Sequence, residues 1–415
     1  MARTDAIVLG AGIVGIAIAL HLVKRGLAVA LVDRRGPGEE TSFGNTGIIE
    51  TNTIFPPPFP NDFAALMRIA LNRAPEANYH LAFLPRVAPW LMSYRAWSRP
   101  HQMAETARIM RPLYAAALAE HEVLMAEAGA TRWLRKTGWL KLYRSDASFA
   151  ASAHEREIAA HFHVPCRVLD PAGIRALEPS LAPVVRHGLF WEAAASISDP
   201  LALTRAYAAR FAALGGVMLN GDARSLHRAG GSWRVETAEG HVDAAAVVAA
   251  LGPWTPDLLA PRGIRLPMAV KRGYHRHFRA RDNATLSRPV LDVDNGYCIT
   301  AMTQGIRVTT GAEFADRDAP PTPVQFERLL PAARGLFPLG APVDDKPWLG
   351  SRPCFADSRP VIGPAPGQAG LWLAFGHAHW GLTLAAVTGR LVADLLTKTA
   401  PAFDPAPFSA GRFTR

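Results

Sequence analysis

An apolar strand, a glycine-rich turn and a helix open the chain, alternating strands and turns fill 266–312, and a second strand, glycine turn and helix come near the carboxyl end. Together these predict an α/β fold of two domains. The two chain ends build one Rossmann-like domain, and the middle builds a second, α+β domain on a mainly antiparallel sheet. The expected boundaries are 1–90, 196–265 and 345–415 for the first domain, and 91–195 and 266–344 for the second.

Ala6–Leu9 reads as a buried strand, Gly10–Gly15 as a turn, Ile13–Arg25 as a helix stopped at Gly26, and Ala28–Val32 as the next strand. Such a βαβ unit places its strands parallel, with the glycine turn at their carboxyl ends. A proline-rich stretch including Phe55-Pro-Pro-Pro-Phe59 reads as a loop, followed by helical spacing over Leu81–Trp97 and again over Arg99–Gly129. Trp139–Arg144 alternates like a strand. Asp199–Leu214 reads as a capped helix that Gly215-Gly216 ends before the strand Val217–Asn220. Trp233–Thr237 and His241–Ala250 read as strands of the first sheet, and Gly296–Ala301 and Ile306–Thr310 as strands of the second. Leu371–Phe375 and the helix Gly381–Leu396 return to the first domain. No internal repeat is present.

Hydrophobic residues are 49% and charged residues 19% of 415, a globular composition rather than a disordered one. The formal charge of +10 suits an anionic lipid surface or an acidic ligand. No basic run interleaves with stacking aromatics, so no nucleic-acid partner is expected. Cys166, Cys298 and Cys354 form no close pair, which implies neither disulfides nor a metal site and fits a cytoplasmic location. No secretion signal is read at the amino terminus, and no stretch of about 18 apolar residues reads as a membrane span. Peripheral attachment to the inner face of the cell membrane remains compatible with the charge.

The motif Ile7-Val-Leu-Gly-Ala-Gly-Ile-Val-Gly15 carries the first chemistry. Gly10 permits the turn, Gly12 lets the backbone approach a pyrophosphate, and Gly15 lets helix and strand pack closely. Ile13 and Val14 open the helix, whose amides meet phosphate charge. Asp33 suits a ribose hydroxyl and disfavours a 2′-phosphate, which points to FAD or NAD. Arg34 and Arg35 leave an NADP-dependent reductase as an alternative.

Thr41-Ser-Phe-Gly-Asn-Thr-Gly47 offers short polar side chains and close backbone, with Ser42, Asn45, Thr46 and Gly47 as cofactor candidates. This segment resembles the one lying along the flavin in the D-amino-acid oxidase and dehydrogenase superfamily. Val247-Val-Ala-Ala-Leu-Gly-Pro-Trp254, with Ala250, Gly252 and Trp254, resembles the strand and turn that close the nucleotide site there. Trp348-Leu-Gly-Ser-Arg-Pro353, Pro360-Val-Ile-Gly363, Gly376-His-Ala-His-Trp-Gly-Leu-Thr383 and Gly389-Arg-Leu-Val-Ala-Asp394 follow the order of the bacterial D-amino-acid dehydrogenase and glycine oxidase group, including D-hydroxyproline dehydrogenase-like flavoproteins. The resemblance implies FAD as cofactor, with Gly376, Gly381, Leu382 and Thr383 at the flavin end.

It also implies an enzyme that oxidises an amino acid, a D-amino acid or D-proline derivative, by hydride transfer from the α-carbon to flavin N5, giving an imino acid or 2-oxo acid. Electrons would pass to a quinone, an electron-transfer protein or oxygen. By the same resemblance Arg352 pairs with the substrate carboxylate, and His377, His379 and Tyr274 lie at the flavin or substrate. The alternative role for Arg352 is an ion pair with Asp357. Tyr297 and Arg307 are weaker candidates. Cys354 is expected to be an inert thiol, although related sarcosine oxidases bond a cysteine to flavin. The competing readings are a glycine, sarcosine or N-alkyl amino acid oxidase and a non-catalytic flavin-binding subunit.

Overall fold

A computed structural model describes residues 3–53, 57–60 and 63–413; Phe55 and Pro56 of the proline-rich run lie outside the described residues. The first sheet is centred on Arg3–Leu9, flanked in parallel by Val29–Asp33 and Gly240–Ala249. Val217–Asn220 extends it beyond Val29–Asp33. The far edge of Gly240–Ala249 is shared: its first half pairs antiparallel with Ser232–Thr237, its end parallel with Leu371–Phe375. Continuous apolar runs such as Ala6–Leu9 are buried because helices cover the sheet.

Register decides where a ligand binds. Leu9 stands opposite both Val32 and Ala249, and Ala249 opposite Leu373. The four parallel strands therefore end together, and their following turns share one edge.

Helix Ile13–Lys24 packs against the C-terminal helix Gly381–Leu396 and against Pro200–Ala213, in a core that includes Ile16, Leu20, Leu203, Leu384 and Leu391. Asp199 caps Pro200–Ala213 by accepting from the Ala202 amide at 3.0 Å, as its sequence position predicts. Helix Pro100–Glu127 inserts Met110, Leu113, Ala117 and Leu124 into the same core, which ties this part of the 91–195 segment to the first sheet.

The second sheet is built on the long strand Met268–Ala280. It pairs antiparallel with Gly305–Thr309 and, from Met268 opposite Phe355 to His275 opposite Trp348, with Trp348–Phe355. Tyr297–Met302 continues it antiparallel, and two of its pairings are parallel. The fold is thus α/β with a Rossmann-like parallel centre and a second, mainly antiparallel sheet. Trp348–Phe355, although in the C-terminal segment, is hydrogen-bonded into the second sheet.

The glycine turn is held by contact as well as conformation. Gly10 has φ +107°, and a Cβ on Gly15 would lie 1.9 Å from the Gly10 carbonyl oxygen. Relief would require the first helix to move off its strand. Gly15→Ala is therefore expected to lose about 1–3 kcal/mol of stability, read as a lowered thermal midpoint; an unchanged midpoint would contradict this packing.

Candidate active site

The aligned strand ends open into a cleft of about 510 Å³ that reaches across to the second sheet at Gly273, Tyr274, Thr309 and Arg352. Of the residues singled out in sequence, Gly10, Gly12, Ile13, Val14, Asp33, Arg34, Ser42, Asn45, Ala250, Gly252 and Trp254 line one part of it. Gly376, His377, His379, Gly381, Leu382, Tyr274 and Arg352 line the rest. Four do not. Gly15 lies beneath Gly10, Thr46 is outside the lining, and the Gly47 amide donates to Asn45 Oδ1 at 2.8 Å within its own turn. The Thr383 hydroxyl donates to the Ile48 carbonyl and accepts from the Glu50 amide, both at 3.2 Å, so it ties the loop to the helix.

At the amino-terminal turn, Asp33 accepts from the Ala11 amide (2.6 Å) and the Arg35 amide (2.9 Å), fixing the turn beside the strand end. Helix Ile13–Lys24 has no acid in its first turn and no side-chain bond from its cap residue Gly12. Ser42 Oγ accepts from the Ile13 amide at 3.0 Å. A positive helix end and a side-chain-free cap are what a pyrophosphate needs. Arg34 and Arg35 both contact Glu40, at 2.9 and 3.2 Å, and Arg34 lies over the Trp254 ring at 4.8 Å. Both arginines thus share one acid at the cleft edge.

The second helix end repeats the arrangement. Gly381–Leu396 starts at the cleft wall with no acid in its first turn and no side-chain cap bond from Trp380. The Trp380 indole donates to Glu50 at 3.2 Å, and burial raises the Glu50 carboxyl above its ordinary range. Sequence reasoning passed over Glu50 because its partner is 330 residues away.

Three sequence candidates have other occupations. The Tyr274 hydroxyl donates to Glu313 at 3.0 Å and accepts from the Thr322 amide at 2.7 Å, inside a network on the fully buried Arg272–Glu313 ion pair. It is a structural hydroxyl; only the residue's flank meets the cleft. Tyr297 is buried and donates to the Ala332 carbonyl at 3.2 Å. Arg307, also buried, donates through Nε to His277 Nε2 at 2.9 Å and through its terminal nitrogen to the carbonyls of Phe43 and Asn45. Because an arginine nitrogen only donates, His277 Nε2 accepts and its proton sits on Nδ1, 2.8 Å from Asp344. The chain Asp344–His277–Arg307 thus holds the 41–47 turn in place. Trp348, missed in sequence as a site residue, lines the cleft against Gly44, where a Cβ would lie 1.7 Å from its ring.

Arg352 is different. Its guanidinium touches only the carbonyls of Arg272 and Gly311, at 3.3 Å, and no carboxylate bonds it among the described residues. Asp357, the candidate ion-pair partner, is taken by Arg359 (3.1 Å) and Arg412 (2.8 Å). His377 is buried with Nε2 3.0 Å from Thr388 Oγ1, and burial pushes its pKa down to about 3. His379 is exposed and lines the cleft; desolvation there, then the charges of Arg352 and Lys271, lower its pKa well below the ordinary histidine value. The Cys354 thiol is buried, its pKa raised by burial, with Sγ 3.5 Å from the Arg352 carbonyl.

A family model described as FAD dependent oxidoreductase matches residues 5–395. The chain belongs to the FAD-dependent oxidoreductase family. It is 30% identical to the D-amino-acid oxidase of Bradyrhizobium diazoefficiens over 416 residues, covering 98% of both chains. It is 32% identical to the D-amino acid dehydrogenase of Methylobacterium radiotolerans over 421 residues, covering 98% of this chain and 99% of the relative. Among solved structures, glycine oxidase from Geobacillus kaustophilus shares the fold with a TM-score of 0.76, at 24% identity and 99% coverage of each chain.

The residues of this FAD-dependent oxidoreductase fit the cofactor: a side-chain-free turn at one helix end, Asp33 at a strand tip, and a second helix with no acid in its own first turn at the far wall. Buried neutral histidines add a pH dependence. His377 and His21 have values near 3 and His121 near 4, against 6.5 in an unfolded chain. Below about pH 6.5 the unfolded chain binds protons that the native state excludes, so stability falls as pH drops from about 6.5 toward 3. Urea midpoints at pH 7 and pH 5 should show this loss, and His377→Asn should lose less between the two. Equal losses would exclude His377 as a contributor.

Proposed function

We propose that the enzyme oxidises the α-carbon of an amino acid held by its carboxylate on Arg352. The observation that carries this is a guanidinium facing the cofactor cleft with only two carbonyls as neighbours and no acid bonded to it. A partly buried cation with no bonded acid is a ready receptor for an anion, and a planar fork fits a carboxylate. When bound, FAD supplies the two-electron acceptor. The protein's part is to orient and to set charge. Arg352 fixes the substrate at one end, and the Asp344–His277–Arg307 chain holds the turn along the cofactor cleft. The amides of helix Gly381–Leu396 favour negative charge at the wall.

Neither histidine suits a strong general base. His377 is bonded to Thr388, and His379 is held far below neutrality beside two cations. The substrate amine therefore arrives neutral, a state that the same positive field favours. The names of the relatives support the D configuration and leave oxygen, a quinone or an electron-transfer protein as acceptor. Arg352→Ala should raise KM for the substrate roughly 100-fold, the scale of losing a buried charged pair, with FAD content unchanged. Anaerobic bleaching of the flavin band near ~450 nm against D- and L-amino acids, proline derivatives and N-methyl glycine reads it. An unchanged KM would remove the clamp.

We also propose peripheral docking on an anionic membrane. No helix among the described residues is long and apolar enough to cross one. Phe63, Met67 and Leu71, spaced along one face, are exposed, as are Leu81 and Met92, with Arg73, Arg95 and Arg99 exposed in the same stretch. Exposed apolar side chains in a stretch that also exposes arginines suit the headgroup boundary. Sedimentation with anionic vesicles, absent with zwitterionic ones and weakened at least ~10-fold by Phe63→Asp with Leu71→Asp, is expected. Equal recovery of both proteins would exclude this surface.

A further inference from the structure

Arg352 has a second cation at its side. Lys271 is its direct register partner across the antiparallel pair, so both side chains leave the same face of the sheet. Lys271 is only 8% exposed, and its Nζ is walled by aromatic rings: 4.2 Å from the centroid of Tyr94, 5.0 Å from Trp90 and 5.9 Å from Phe314. Ring faces attract an ammonium but carry no net counter-charge.

Acids on the neighbouring strand Ala312–Phe314, the turn after it and the turn after Trp348–Phe355 are engaged with other groups. Glu313 is bonded to Arg272, Asn78 and Tyr274; Asp316 pairs with Arg86; Asp357 pairs with Arg359 and Arg412. Among the described residues, no carboxylate forms an ion pair with Lys271 or Arg352. Two adjacent, enclosed positive charges without a counterion are unfavourable unless negative charge comes from outside the chain. Arg352 and His379 line the cleft, and Lys271 stands one strand across from Arg352, just behind that lining.

We infer that the substrate carries a second anionic group on its side chain, which meets Lys271 while Arg352 holds the α-carboxylate: the enzyme's substrate class is the acidic, dicarboxylic amino acids. This rests on the proposed clamp at Arg352 and adds selectivity to it. The aromatic walls then serve two ends. They hold the ammonium in one place and close the pocket to bulky apolar side chains.

The test uses the FAD-loaded enzyme with D-glutamate and D-aspartate against their neutral isosteres D-glutamine and D-asparagine, and the L-enantiomers of all four. The wild type should favour acid over amide by at least about 10-fold in kcat/KM. Lys271→Met should abolish that preference by raising KM for the acids far more than for the amides, while Lys271→Arg keeps it. Binding gives a readout that requires no variant: succinate should perturb the flavin spectrum of the wild type at lower concentration than butyrate. Amides oxidised as well as acids, or Lys271→Met slowing both alike, would overturn the assignment. If no amino acid of either kind bleaches the flavin, the amino acid reading itself falls, a different result from lost selectivity.

Discussion

The antiparallel pairing of Trp348–Phe355 with Met268–Ala280 is the contact on which the site depends. It takes a strand from the C-terminal segment, hydrogen-bonds it into the second sheet, and thereby sets Arg352 beside Lys271 over a cleft whose floor belongs to the first sheet. The same strand brings Trp348 against Gly44, so the turn along the cofactor cleft and the substrate side are assembled by one ladder. Without that ladder no carboxylate receptor would face the dinucleotide turn.

Acids and arginines both line the cleft, and its positive features at the helix ends and at Arg352 come from several sources. Two helices present their amino termini with no acid in the first turn, and Arg352 and Lys271 add full charges with no ion-pair partner. Elsewhere the chain pairs its charges readily: Arg272 with Glu313, Arg144 with Asp292, Asp357 with two arginines. The contrast matters because unpaired enclosed charge is unfavourable unless a ligand completes it. An anionic cofactor and an anionic substrate do so, and the depressed histidines keep the site from accumulating further positive charge that would repel an amine.

The dinucleotide half was legible because its determinants are local. Gly10, Gly12 and Gly15 act within one turn, Asp33 follows at the next strand tip, and each does its work through backbone geometry that neighbouring residues define. The C-terminal helix end at Gly381 was legible for the same reason. Tyr274, Tyr297 and Arg307 were read less well, since their roles are set by Glu313, Ala332 and His277, which meet them only through strand pairing.

By itself the sequence determined the α/β class, the glycine turn and the family, because hydrophobic period and turn chemistry are short-range properties. It also marked Arg352 through its motif. Only the tertiary structure decided that Asp357 turns to Arg359 and Arg412, leaving Arg352 without an acid, and that Lys271 stands next to it within an aromatic wall. Whether a charge is neutralised depends on which distant side chain the fold brings within a few ångströms, and that follows from the register of strands some 80 residues apart.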